Sequence, residues 1–415
     1  MMEVIVNIFN KKVGTLYDDE GVIYFEYDRL FSEKKLDISP IKLPLNSTTY
    51  TNRDSKYFET LAGVFFDSLP DKFGTKVIER YYESKKIPVK DLTTLHKLIF
   101  IGKRGMGALE YEPSEPIVDD DALHETLEIK SMYEASRKII KGEPTEAIKE
   151  MLLFMDSGAS AGGARAKAVI GWDRHSDKMV SGAGELEPNY EYWLVKFDEY
   201  DDHGNATDFT KLEYLYMQMA KECGINTPEL ALIKSDDLTH FAIKRFDRKD
   251  GKKIHMHSLA SMVHVNFNEP LHYSYDEALR VVRYITKDKQ AVEEFYKRAV
   301  FNVIARNQDD HAKNTSFLME DDGKWYLSPS YDITYANGQG FTRNHQMSIL
   351  GKVNDFSYED LMELAKQAEI NSVKATRIIE QTIDVLSHFK ERAQKLNMRK
   401  ELVDLVYGDL RIGLR

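Results

Sequence analysis

The run Ala305-Arg306-Asn307-Gln308-Asp309-Asp310-His311-Ala312-Lys313-Asn314 crowds two acids, three amides, a histidine and a lysine directly behind an apolar stretch. Phosphoryl transfer to a hydroxyl needs an aspartate that orients the hydroxyl and accepts its proton, and an asparagine that holds a metal ion. Kinase catalytic loops set these two five residues apart, as Asp309 and Asn314 are here (314 minus 309). Lys313 would then face the transferring phosphate, although it stands one residue before the asparagine and not two after the aspartate. The competing reading is a polar loop that ends a helix, its aspartates bonding local backbone. Eighteen residues beyond Asn314 (332 minus 314), Asp332 follows a short β-like run, the place of a magnesium-binding aspartate on the second arm of a hairpin. Mg²⁺ takes few protein ligands because phosphates and waters complete its octahedron.

Two upstream features share that chemistry. Ser157-Gly158-Ala159-Ser160-Ala161-Gly162-Gly163-Ala164-Arg165-Ala166-Lys167 would let backbone N–H groups approach phosphate oxygens, with Arg165 and Lys167 supplying charge. Alone it reads equally as a turn of small residues, since it is not the GxxxxGK[ST] loop. Lys196 sits inside the apolar strand Tyr192-Trp193-Leu194-Val195-Lys196-Phe197. Alternation puts Trp193, Val195 and Phe197 on one face and Leu194 with Lys196 on the other, so the ammonium must reach water or a partner. A strand lysine downstream of a glycine-rich loop holds the α/β-phosphates in kinase-like sites, and an edge-strand lysine reaching solvent is the plainer account. Gly158-Ala159-Ser160-Ala161-Gly162 also spells GxSxG, but a helical stretch precedes it and a β-like one follows, the reverse of a nucleophile elbow. A hydrolase acting through Ser160 is therefore a poor second. His255, His257, His264 and His272 form no tight pair with carboxylates, so no metal site is read from them.

The elements that must position these residues are legible in outline. Alternating runs from Val4 to Phe25 suit a small antiparallel sheet with turns at Lys11-Lys12 and Asp18-Asp19. Residues 57–74 place Tyr57, Leu61, Val64 and Phe65 at helical spacing and stop at Pro70, with short helices expected over 75–85 and 92–99. A helical run is expected around 145–155, strands at KAVIG and YWLVKF, and helices over 211–223 and 276–286. A further helix leads into Asn307, with Val292, Phe295, Ala299, Val300, Val303 and Ile304 on one apolar face. The 415 residues suit two or three domains, read as 1–125, 126–245 and 246–415 with a connection near the acidic stretch Val118-Asp119-Asp120-Asp121. The net charge of −11 argues against a generally basic nucleic-acid surface. One cysteine, Cys223, makes no intrachain disulfide, which suggests a reducing, cytoplasmic setting. No apolar stretch is long enough to span a bilayer, so no membrane role is expected.

In this order the motifs resemble the HipA-type serine/threonine kinases, the toxin half of bacterial HipBA toxin-antitoxin pairs. Val13-Gly14, Phe25-Glu26-Tyr27-Asp28, Leu43-Pro44-Leu45, Leu69-Pro70-Asp71 with Gly74, and Gly105-Met106-Gly107-Ala108-Leu109 resemble the family's N-terminal subdomain. Ser160 to Lys167 resembles its phosphate loop, Asp309 to Asn314 its catalytic loop, and Pro329-Ser330-Tyr331-Asp332 its metal motif. Asp310 stands where the family often has glycine, and Ala166 where it often has proline.

The resemblance implies an α+β, protein-kinase-like bilobal fold, with a small N-terminal β-rich subdomain, a mainly helical C-terminal lobe and ATP between the lobes. It implies Asp309 as catalytic base with Lys313 beside it, Asn314 and Asp332 as Mg²⁺ ligands, and Lys196 on the ATP phosphates. Ser160, Ala161, Gly162, Gly163, Ala164, Arg165 and Lys167 would form the phosphate loop, and His311 of the catalytic loop and Phe246 in Ile243–Arg248 would also bind the cofactor, Phe246 near the adenine. Ser160, with Ser157 as the fallback, matches an autophosphorylation position that switches the enzyme off. Implied partners are a HipB-like DNA-binding antitoxin, DNA only through that complex, and a protein substrate such as an aminoacyl-tRNA synthetase or another translation factor. A small-molecule kinase and a catalytically weak component of an antitoxin–DNA complex remain the alternatives.

Overall fold

A computed structural model of the chain describes residues 2–34, 36–45, 48–116, 123–141, 166–269 and 272–414. It resolves into two compact units: residues 1–197 with 242–264 and 318–324, and residues 198–241 with 265–317 and 325–415. The helical run expected around 145–155 and the segment Ser157 to Arg165 lie outside the described residues.

The first unit is bilaterally built on sheets. One is antiparallel in the order β4-β3-β2-β1-β5, with β1 at Glu3–Ile8, β2 at Lys11–Asp19, β3 at Val22–Tyr27, β4 at Tyr50–Thr51 and β5 at Leu109–Glu112. Val4, Val6 and Ile8, and Ile23 and Phe25, are buried at the period-two spacing of one sheet face, while the β1–β2 register shifts at Val6/Asn7 and Val13 and Leu16 of β2 lie three apart. The charged pairs lie at strand ends, whereas the turns are Phe9-Asn10 and Glu20-Gly21. All four of these residues take positive φ, as two-residue hairpins require. β6 (Lys167–Asp173) pairs antiparallel with β7 (Lys178–Ser181) and with β8 (Glu191–Lys196).

The helical spacing over 57–74 produces only the single turn Gly63–Phe66. Glu59 and Thr60 take φ of 50° and 63°, outside any right-handed helix. The sheet captures this stretch: Ile23 N–H donates to Thr60 Oγ1 at 2.8 Å and Asn52 N–H to the Thr60 carbonyl at 3.2 Å. Regular helix resumes over Lys72–Ser84, whose N-cap Asp71 accepts from Gly74 N–H, and again over Thr94–Ile101.

Three histidines join distant parts of this unit. His257 Nδ1 meets Asp67 at 2.7 Å, His255 Nε2 meets the Ile38 carbonyl at 3.0 Å, and Gly63 N–H donates to His264 Nε2 at 2.9 Å. Burial pushes both His255 and His264 down to about 4. Their folded values lie below the unfolded one, so the unfolded chain binds more protons between about pH 6.5 and 4. Stability is therefore expected to be level above about pH 6.5, to fall between there and about pH 4, and to level again below. Urea unfolding at pH 7.5 and 5.0 reads this as a lower midpoint at pH 5.0, and replacing both histidines by glutamine should reduce the difference, with the similarly lowered His240 and His311 keeping part of it.

The second unit is mainly helical. Its central element is Lys289–Ala305, and the expected apolar face of Val292, Phe295, Ala299, Val300, Val303 and Ile304 is buried. So are Tyr296, Arg298, Phe301 and Asn302, so the helix is enclosed on nearly every side and its end is held firmly. Tyr275–Thr286 and Ser372–Ser387 pack against it. Capping boxes start Tyr275–Thr286 (Ser274 with Glu277) and Tyr358–Gln367 (Ser357 with Asp360). Among the described residues no helix is long and apolar enough to cross a membrane.

Candidate active site

Among the described residues, those singled out above fall into two groups, one in each unit. In the first, antiparallel pairing sets Lys167 directly opposite Lys196, on neighbouring strands and on one sheet face. β8 is buried on both faces, and Lys196 is 8% exposed, so the account in which its head reaches solvent from an edge does not hold. β6 flanks it on one side, and on the other Arg245 N–H donates to the Tyr192 carbonyl at 2.8 Å. Two like charges opposed this way repel, and the repulsion is relieved where carboxylates approach. Asp71 is such a carboxylate: its Oδ2 lies 2.9 Å from Lys167 Nζ, with both side chains nearly buried. Sequence reasoning gave Asp71 no chemical role. The available signal was its position directly before a helix, but its partner lies 96 residues away.

Phe246 is half-buried between two anchored neighbours. Asp247, fully buried, accepts from Arg245, Arg248 and Gly107 N–H. Burial alone would raise its carboxyl, but the Arg245 and Arg248 guanidinium groups outweigh that and hold it well below the usual carboxylate range. The 243–248 segment is thereby pinned to the Gly105–Gly107 turn through the arginines, whose N–H groups also donate to the Gly105 and Gly107 carbonyls.

In the second unit the helix Lys289–Ala305 ends on Arg306, which takes φ 58° as its C-cap and returns its N–H to the Asn302 carbonyl. The chain leaves at that point into the Asp309–Asn314 loop. The adjacent aspartates have opposite surroundings. Asp310 is wholly enclosed and accepts from Tyr275 OH, His345 Nδ1 and Gln346 N–H, each at 2.7 Å. Asn302 Nδ2 donates to Tyr275 OH at 3.0 Å, and Asn307 Nδ2 to Asn302 Oδ1 at 2.9 Å, extending the chain of bonds back to the helix. Asp309, by contrast, has a side chain 40% exposed, with His311 Nε2 at 3.6 Å from its Oδ1.

Asn314 Nδ2 donates to the Asp309 carbonyl at 2.8 Å, which spans the five-residue interval and fixes the asparagine's orientation. Its Oδ1 is then buried without a hydrogen-bond partner, as is His311 Nδ1. A buried acceptor left bare is costly unless water or a cation satisfies it. Burial pushes His311 down to about 4, against the opposing pull of the Asp332 carboxylate, so the ring is neutral at ordinary pH. Asp332 takes φ 58°, a left-handed conformation that aspartate tolerates better than most residues. It follows Tyr331, whose hydroxyl donates to the Lys313 carbonyl at 2.8 Å and so ties this segment to the loop. Asn314, His311 and Asp332 border a cavity of about 20 Å³, the room of a single water or ion. No cluster of three His, Cys, Asp or Glu is found among the described residues, but a cation completed by phosphate and water does not need one. The amide oxygen and the carboxylate beside this small cavity suit a hard cation such as Mg²⁺. Lys313 Nζ lies 5.4 Å from the centre of the Phe267 ring, which in turn packs on His311 at 4.5 Å.

Comparison with known proteins gives the family. Residues 4–112 match the HipA N-terminal domain and residues 159–389 the HipA-like C-terminal domain. A putative kinase of Haemophilus influenzae is 26% identical over 135 residues, 29% of this chain and 39% of that protein, so the match spans about two fifths of the relative's length. The HipA chain fold in the Shewanella oneidensis MR-1 complex of toxin-antitoxin HipA, HipB and operator DNA superposes with a TM-score of 0.68. It covers 98% of this chain and 96% of that one at 15% identity. That likeness is one of fold. The C-terminal match alone takes in more than half the chain, including Lys167, Lys196, the Asp309–Asn314 loop and Asp332, and with it this protein belongs to the HipA family.

Proposed function

We propose that the chain is a Mg-ATP-dependent serine/threonine kinase of HipA type. The observation that carries this reading is the contrast along one loop: Asp310 is consumed by three buried hydrogen bonds, while Asp309 keeps an accessible carboxylate and its carbonyl orients Asn314. Asp309, whose side chain is 40% exposed, is then the carboxylate of the pair that an incoming hydroxyl can reach with its proton, at the five-residue interval the chemistry requires. The bond between the γ-phosphorus and the β,γ-bridging oxygen breaks, a bond to the acceptor oxygen forms, and the hydroxyl proton passes to Asp309. Lys313 balances charge on the phosphoryl oxygens, and Lys167 and Lys196 meet the ATP phosphates. Asn314 Oδ1 and Asp332 would hold Mg²⁺, which offsets the charge that develops between the β- and γ-phosphates. Phe246 would sit near the adenine.

The partner in this reading is a HipB-like DNA-binding antitoxin, and DNA is reached only through it, as suits a chain of net charge −11. The acceptor is a protein such as an aminoacyl-tRNA synthetase or another translation factor, in the cytoplasm. Ser160, with Ser157 as the alternative, is the autophosphorylation site. A phosphate there adds about two negative charges to a loop whose work is to hold ATP, which gives the modification its inhibitory sense.

Intact-mass analysis after incubation with Mg-ATP tests this, with peptide mapping and Ser160→Ala alongside. A gain of one phosphate at Ser160, abolished in the variant, is the expected result. Absence of any phosphate, on protein first treated with phosphatase, together with absence of ATP binding, would reject the kinase reading.

A further inference from the structure

Lys167 and Lys196 form a cationic pair that must persist, oriented, before any anion arrives. Strand pairing fixes their backbones opposite each other, but a lysine head on four methylenes is free to swing unless something holds it. For Lys167 the holding group is visible. Asp71 divides its carboxylate: Oδ1 accepts Gly74 N–H at 2.8 Å, which starts the helix Lys72–Ser84, and Oδ2 lies 2.9 Å from Lys167 Nζ. The first bond locks the carboxylate at a helix N-terminus, and the second places the ammonium. Side-chain exposures of 5% and 11% mean that water screens the pair weakly.

We propose that Asp71 is a positioning residue for the ATP site, holding the Lys167 ammonium where a nucleotide phosphate meets it. This rests on the kinase reading. An ammonium has three donors, so Lys167 can donate to Asp71 and to a phosphate oxygen together. Asp71 lies within residues 4–112, the part matched to the HipA N-terminal domain, and Lys167 within 159–389. The N-terminal region thereby completes the phosphate site of the C-terminal one, and a partner that pulled the N-terminus of Lys72–Ser84 away would release Lys167 and weaken ATP binding.

The two duties of Asp71 can be separated. Asparagine and serine are good N-caps, so Asp71→Asn and Asp71→Ser keep the helix start and remove the charge. Asp71→Glu keeps the charge with a poorer cap. The measurements are ATP affinity by calorimetry, the KM for ATP and kcat on full-length protein, and thermal midpoints. Asp71→Asn and Asp71→Ser are expected to weaken ATP binding and raise KM by about tenfold or more, the scale of one charge-assisted hydrogen bond, with kcat changed far less. Their midpoints should stay near wild type, and Asp71→Glu should recover part of the affinity despite a lower midpoint. A purely structural Asp71 would give the opposite order, the midpoints moving and KM not. Wild-type affinity in Asp71→Asn, or tighter binding, overturns the proposal. If wild-type protein neither binds ATP nor transfers phosphate, the kinase reading fails first and takes this inference with it.

Discussion

Asp309→Asn should lower phosphotransfer by about 10²- to 10⁴-fold while ATP affinity and the unfolding midpoint stay near those of wild type. The side chain is 40% exposed, so solvent screens its charge and little of the fold depends on it. The carbonyl that orients Asn314 belongs to the backbone and survives the change. What disappears is the carboxylate proposed above as the proton acceptor. Single-turnover transfer to a protein or peptide acceptor, with ATP binding measured beside it, is the test. A variant that binds ATP and transfers at the wild-type rate would remove Asp309 from the chemistry.

Asp310→Ala is expected to fail in the opposite way. Alanine strips Tyr275 OH, His345 Nδ1 and Gln346 N–H of their shared acceptor inside a buried site, leaving three buried donors bare. Losses of this kind cost about 1–3 kcal/mol per unsatisfied group, softened where the side chains find other partners, so about 2–4 kcal/mol is expected in all. Urea titration should show the midpoint fall with a largely unchanged slope. Asp310→Asn should be milder because it preserves shape and one acceptor. If Asp310→Ala were as stable as wild type but inactive, the roles assigned to the two aspartates would have to be exchanged. Neighbouring carboxylates one residue apart thus separate by readout, one in rate and the other in stability.

Asp309, Asn314 and Asp332 could be picked out because their spacing is local, and strand alternation placed Lys196 and the first sheet for the same reason. Asp310 could not be interpreted from the sequence, since Tyr275 and His345 each lie 35 residues away, in opposite directions. Asp71 was hidden by a separation of 96 residues. The buried state of Lys196 was also out of reach: alternation assigns a face but not what covers it. The false helix over 57–74 shows the same limit from the other side. Its apolar spacing is real, and Phe65 does pack on Phe25, but Thr60 finds partners in Asn52 and in Ile23, the latter 37 residues away and outside any helical window. Helix Lys289–Ala305 was legible because its apolar period continues through four turns, although its enclosure on the remaining side was not.

The first compact unit is assembled from three stretches of chain, the last of them 318–324. During synthesis the first 197 residues emerge long before that piece exists. The intervening 127 residues (324 minus 197) take about 6–25 s to translate at about 5–20 residues per second. Over that interval Asp67 lacks His257 and Ser258, Gly63 lacks His264, and Gly107 lacks Asp247 until residues 242–264 arrive. The nascent chain therefore waits with open polar sockets and uncovered strands, a state that chaperones recognise. Slowing the ribosome between codons 198 and 241 should prolong that wait and raise the share of protein that aggregates, even though every contact of the finished fold is unchanged.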